Sequence, residues 1–210
     1  MNFVKKENRI FKSSLINSFK KNLSKSQFIL GSDVKNLENQ LCLFTKSKFC
    51  ISTSSGTDAL LLALMALDIK PGDEIITTPF TWISNVEVIK LLKAKVVYAD
   101  INEKTFNIDL QSVTKKITKK TKAIIAVSLF GQCADLIELK RLCKLKKICL
   151  IEDAAQSFGA KINNFNSCNI ADISCTSFFP TKILGSLGDG GACFTNNSKI
   201  ANKVLSAKEI

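Results

Sequence analysis

The spacing of hydrophobic positions changes repeatedly along the chain, and each change marks an element. From Ser32, the residues Val34, Leu37, Leu41 and Phe44 recur at i, i+3, i+7 and i+10. That is one face of a helix, with Ser32 as the cap of its first turn. Phe49 to Ser52 reads as a short strand, Ser54-Ser55-Gly56 as a turn, and the Ala- and Leu-rich run Thr57 to Leu67 as a helix. Pro71-Gly72-Asp73 is a second turn. It leads into a strand over Glu74 to Thr78, a helix over Asn85 to Leu92 and a β-branched strand over Lys95 to Ala99. Leu110, Val113 and Ile117 predict a helix, Ala123 to Val127 a buried strand, Asp135 to Lys146 a helix, and Ile148 to Ile151 a strand. Beyond Asp153 the rhythm breaks. Ser174 to Phe179 and Ala192 to Thr195 read as strands separated by a glycine-rich loop. Strands alternating with helices predict an α/β domain with a mainly parallel sheet.

Composition narrows this. A chain of 210 residues with 46% apolar and 23% charged residues is one substantial globular domain. The first 28 residues are dense in lysine and carry one acid, Glu7, which predicts a basic surface helix. Residues 1–30 are accordingly read as an N-terminal basic segment and 31–210 as the domain. The longest apolar run, Ala59 to Leu67, is less than half a membrane span, so no transmembrane helix is expected. Nor does the N-terminus hold the apolar core of a secretory signal.

The net charge of +12 raises nucleic acid as a partner. All but Arg9 and Arg141 of the 30 basic residues are lysine, however, and they are scattered, without interleaved aromatics. Arginine is the residue suited to bidentate phosphate and base recognition. The charge is therefore read as a lysine bias, with an electropositive face for an anionic metabolite left open. Eight cysteines without a C-x-x-C pair, and no histidine, fit neither common zinc pattern, so no metal is expected. The missing histidine also excludes Ser-His and Cys-His catalysis. The thiols are read as reduced core residues of a cytoplasmic protein.

Ligands of open α/β sheets bind beyond the carboxyl ends of strands. Three strand-end elements carry candidate chemistry. Ser54-Ser55-Gly56-Thr57-Asp58 opens a helix whose free N–H groups favour an anion such as phosphate. On its own, such a turn is more often only a cap. Glu152-Asp153-Ala154-Ala155-Gln156 follows an apolar strand; its carboxylate could bind a metal, act as a base, pair with a cationic ring nitrogen, or merely cap a helix. Ser177 to Lys182, followed by Gly185 and Gly188-Asp189-Gly190-Gly191, sets one lysine between aromatics and glycines. Apolar surroundings favour the neutral, nucleophilic form of such a lysine, and glycines let backbone approach a flat ligand. Taken singly, it is a surface lysine in a hairpin loop. Together the three supply what pyridoxal 5'-phosphate (PLP) needs: a Schiff-base lysine, a carboxylate for the pyridinium nitrogen and a helix N-terminus for the phosphate. Trp82, after the strand Glu74 to Thr78, could stack on the ring or belong to the core.

Ser54 to Leu60, Pro71 to Ile76, Thr121 to Ile125, Glu152 to Gln156, and Ser177 to Lys182 with Gly188 to Gly191 occur in the order and spacing of a known family. They resemble the DegT/DnrJ type of PLP-dependent sugar aminotransferases, of aspartate-aminotransferase fold (fold type I). The resemblance runs from about Gln27 to the end. The stretch Ser167 to Lys182, with Gly190 to Asn196, looks most like a branch that aminates a UDP-linked keto-sugar acid, UDP-2-acetamido-2-deoxy-ribo-hexuluronate. That branch takes glutamate as amino donor and feeds O-antigen and related surface polysaccharides. The resemblance implies that Lys182 forms the imine with the cofactor and shuttles a proton, and that Asp153 holds the pyridine nitrogen protonated. It places Gln156 near the ring and its hydroxyl, Gly56, Thr57 and Ser177 at the phosphate, and Trp82 in the stacking position. A lysine at Lys182 implies amination, since dehydrating relatives carry histidine there. Family members are homodimeric and much longer. A small C-terminal domain and a partner asparagine at the phosphate are thus expected outside this chain, which reads as a truncated enzyme or an inactive remnant of one.

Overall fold

The computed structural model describes residues 2–208. Helix α1 (Asn2–Lys25) keeps Phe11, Phe19 and Leu23 exposed. The domain then runs α2 (Ser32–Thr45), β1 (Phe49–Thr53), α3 (Gly56–Ala66), β2 (Glu74–Thr77), α4 (Ser84–Leu91), β3 (Lys95–Tyr98) and α5 (Leu110–Lys116). It continues through β4 (Thr121–Val127), α6 (Leu136–Lys146), β5 (Cys149–Asp153), a small hairpin of β6 (Lys161–Ile162) and β7 (Phe165–Asn166), β8 (Ile173–Ser177), β9 (Gly191–Thr195) and α7 (Ser198–Lys208). One seven-stranded sheet has the order β1-β9-β8-β5-β4-β2-β3. The pairs β8-β5-β4-β2-β3 are parallel, and only β9 runs against its neighbours β8 and β1. This is the α/β, mainly parallel architecture that the alternating pattern predicts.

Consecutive apolar residues in the central strands serve opposite faces, because strand side chains alternate. Ile75, Ile125, Ile151 and Ile173 bury on one face with Leu60 and Leu64 of α3. Ile76, Ile124 and Leu150 bury on the other with Leu136 and Leu139 of α6. A strand covered on both faces reads as a continuous apolar run, as β4 does. A third cluster, with Leu41, Phe158, Phe178 and Phe194, seats α2 against β9.

Several boundaries differ from the expectation. Ser32 is the first helical residue of α2; Gly31 occupies the cap position and provides no side-chain hydrogen bond. Strand β5 extends through Glu152 and Asp153, because Asp153 pairs with Val127 of β4 and with Cys175 of β8. Asp153 therefore ends a strand and does not cap a helix. Strand β8 stops at Ser177, after which the chain leaves the sheet for the long loop to β9. The β6-β7 hairpin has no signal in the sequence pattern, being two residues per strand.

Candidate active site

Strands β1, β5 and β8 end on the same side of the sheet, and α3 begins there. The end of β1 leads through Ser54 and Ser55 into α3, whose cap Ser55 accepts the Asp58 N–H through its Oγ at 3.0 Å. The N–H groups of Gly56 and Thr57 precede any intrahelical acceptor and are the free donors of the first turn. Thr57 Oγ1 lies 2.9 Å from Ser84 Oγ of α4, which ties the two helix starts together. Gly56 is required by crowding. A Cβ there would meet the Ser177 Cβ at 2.6 Å, so the start of α3 and the end of β8 touch through a missing side chain.

Asp153 is buried at the carboxyl end of β5. Its Oδ2 accepts the Asn85 side-chain amide at 2.9 Å and its Oδ1 accepts the Ala155 N–H at 3.1 Å. Burial pushes its pKa above the ordinary carboxylate value, while the Asn85 amide, the Ala155 N–H and the charge of Lys182 pull the other way. Its neighbour Glu152 faces the opposite side of the strand, fully buried. Glu152 accepts hydrogen bonds from Ser128 and Ser167 on Oε1, and from Ser174 and the Cys168 N–H on Oε2, at 2.8–3.1 Å. Desolvation raises its pKa too, against those four bonds.

An open cavity of about 390 Å³ lies between these parts, within the range of small-ligand pockets. All seven residues singled out from the sequence line it. Gly56 and Thr57 line it beside Ser177, together with Asp153 from the end of β5, Gln156 beyond it in the chain, Trp82 and Lys182. Lys182 is half-buried in the β8–β9 loop, where its N–H donates to the Phe179 carbonyl at 2.8 Å. Gln156 is held by its carbonyl, which accepts the Gly131 N–H at 2.9 Å. Trp82 is 71% exposed on the rim, so it is no part of the core.

Two glycines, Gly185 in the β8–β9 loop and Gly191 at the start of β9, are crowded by backbone. A Cβ on Gly191 would meet the Ser55 carbonyl oxygen at 2.4 Å, and one on Gly185 the Pro180 carbonyl oxygen at 2.6 Å. At these two positions glycine is required by close approach of the chain to itself. Sequence reasoning also missed Asn85, read there only as the start of a helix. It is fully buried, and its Oδ1 is the one buried side-chain nitrogen or oxygen lacking a hydrogen-bond partner among the described residues. An amide in the first turn of α4 gave no local hint of a partner 68 residues away.

Among the described residues no helix is long and apolar enough to cross a membrane, and no cluster of three or more His, Cys, Asp or Glu could hold a metal ion. The profile of the DegT/DnrJ/EryC1/StrS aminotransferase family matches residues 10–209. UDP-2-acetamido-2-deoxy-3-oxo-D-glucuronate aminotransferase of Pseudomonas aeruginosa is 50% identical over 182 residues, covering 87% of this chain and 51% of that protein. Among solved structures, S. venezuelae DesV superposes with a TM-score of 0.92 at 29% identity, covering 96% of this chain and 54% of its own. E. coli GDP-4-keto-6-deoxy-D-mannose-3-dehydratase, solved with bound hydrated PLP, gives 0.85 at 29% identity, covering 90% and 50%. The chain thus spans about half the length of the relatives it matches.

Proposed function

Because the chain belongs to the DegT/DnrJ/EryC1/StrS aminotransferase family, we propose that its cavity binds PLP and serves amino transfer from glutamate to a UDP-linked keto-sugar. The observation that carries this reading is the meeting, in one cavity, of a strand-end carboxylate, a loop lysine and a helix start with free N–H groups. The donor set matches the cofactor's chemistry: backbone and hydroxyl donors for a phosphate, a carboxylate for the ring nitrogen and a primary amine for the aldehyde, all lining one cavity.

In this reading the Gly56 and Thr57 N–H groups and the Ser177 hydroxyl hold the phosphate, aided by the dipole of α3. Asp153, whose pKa is raised by burial and drawn back by the Asn85 amide, the Ala155 N–H and the charge of Lys182, would hold the proton on the ring nitrogen. Gln156 would lie near the ring and its hydroxyl, and the Trp82 indole would stack on the ring. Lys182 Nζ would anchor the cofactor covalently and, once released, serve as the base that takes and returns the proton at the substrate carbon bearing the amine. When bound, PLP supplies an electron sink for the carbon that bears the amino group. The nucleotide-sugar substrate is supported by the 50% identity to the P. aeruginosa enzyme. Glutamate as donor, a homodimer, a cytoplasmic location and a role in surface-polysaccharide synthesis complete the proposal.

The test is the visible spectrum of the purified chain with PLP, beside Lys182→Ala. The chain should gain a visible band that borohydride removes, leaving the cofactor covalently attached to the peptide containing Lys182. The variant should gain neither band nor adduct. A folded chain that traps no cofactor at Lys182 overturns the reading.

A further inference from the structure

Cys175 and Cys193 stand directly opposite each other in the β8–β9 ladder. The Cys175 carbonyl accepts the Ala154 N–H on the β5 side, so the Cys175 backbone faces away from β9. The Phe178 N–H bonds the Gly190 carbonyl, which fixes which pairs of the ladder are hydrogen-bonded. By that alternation, Cys175 and Cys193 form a non-hydrogen-bonded pair, where facing side chains approach most closely and Cα atoms lie about 4.5 Å apart. This falls within the roughly 4.4–6.8 Å that a disulfide spans. The two side chains also converge. Both thiols donate to one oxygen, the Ala59 carbonyl of α3, at 3.3 and 3.2 Å. Among the described strand registers no other cysteine faces a cysteine. Both residues are buried, yet Cys175 lines the cavity, which gives a small reagent a route to it.

We propose that Cys175 and Cys193 are a dithiol–disulfide couple beneath the cavity, oxidised by small peroxides that enter through it. The stoichiometry closes with hydrogen peroxide as the oxidant. One thiol is oxidised to a sulfenic acid as the peroxide O–O bond breaks and water leaves; the second sulfur then displaces a second water and the S–S bond forms. Two thiols lose two electrons and two protons, and one peroxide becomes two waters. Closure removes both S–H donors from the Ala59 carbonyl and pulls β8 and β9 together below the start of α3. Burial and the adjoining Cys193 thiol push the Cys175 thiol well above its ordinary pKa. The reaction is therefore slow near neutral pH and quickens as pH rises, since the thiolate is the attacking form.

The couple needs no cofactor and is tested without one. The full chain is treated with hydrogen peroxide under native conditions, alkylated and digested with trypsin without reduction. Cleavage after Lys161 and Lys182 leaves Cys193 in one peptide and Cys175 with Cys168 in another, so the bond appears as a joined pair in which Cys168 is alkylated and Cys175 is not. Eight free thiols should become six, with the 175 and 193 peptides joined and dithiothreitol restoring both. Cys193→Ala should lose the joined species; if that variant does not fold, native-state treatment of the unaltered chain decides alone. A folded chain in which other cysteines oxidise while 175 and 193 never join overturns the proposal. So does a joined pair that forms only after the chain is unfolded in denaturant.

Discussion

Asn85 holds Asp153 by a charge-assisted hydrogen bond, a contact worth about 1.5–3 kcal/mol in a protein interior. With the Asn85 Oδ1 unpartnered, the side chain's one described bond is its grip on the carboxylate. Asn85→Ala should therefore weaken PLP binding by roughly tenfold or more, since about 1.4 kcal/mol is one decade of affinity. The Asn85 amide also lowers the Asp153 pKa. Its loss lets burial raise that pKa further, so the pH below which binding fails should move upward. Quenching of Trp82, the only tryptophan, on PLP titration at several pH values checks both. Unchanged affinity and an unchanged pH profile would assign Asp153's orientation to Ala155 alone.

At the scale of elements, the start of α3 is clamped between β8 and β9 by glycines. Gly191 pairs with Thr53 of β1 and with Ser177 of β8, and its missing side chain admits the Ser55 carbonyl. Gly191→Ala forces that carbonyl, and with it the α3 start, to move. Overpacking of this kind costs about 1–3 kcal/mol. For a chain of this size, that lowers the melting temperature by roughly 2–4 °C per kcal/mol. Gly188→Ala meets nothing within 4 Å and should stay within about 0.5 kcal/mol of the unaltered chain. Equal melting of the two variants would show that the loop yields without cost. The element boundaries were largely legible from apolar periodicity, because neighbouring residues decide it. The strand β5 was read too short, since Glu152 and Asp153 are polar and their membership of the strand comes from pairing with β4 and β8.

For the whole molecule, Glu152 is a fully buried carboxylate without a counter-charge, joining β4, β5, β8 and the Ser167–Cys168 turn. Its folded pKa lies above the ordinary value. The native state thus holds a proton that the unfolded chain has already released. The stability this contributes is present below the ordinary carboxylate range and lost as pH rises through the raised value. Asp153 acts in the same direction, whereas Glu74 and Asp68, whose pKa values are lowered, act in the opposite one. Glu152→Gln should flatten the fall in melting temperature that sets in as pH rises above the ordinary carboxylate range, because an amide does not titrate there. A pH slope identical to that of the unaltered chain would mean that Glu152 keeps one protonation state throughout.

The residue types of the site were readable in the sequence because each lies in a short segment whose neighbours mark it. A lysine among glycines and aromatics, an acid after an apolar run and a small-residue turn before a helix are all local patterns. The alternation of strands and helices is local as well, and it determined the fold class. The tertiary structure alone decided which side chains meet. Asn85 reaches Asp153 across 68 positions, and Cys175 opposes Cys193 only through the antiparallel register of β9. Gly191 is required by a carbonyl that another element, the turn before α3, brings in. Such pairings depend on sheet order and strand register, and these are set by how the buried faces of the whole domain pack together.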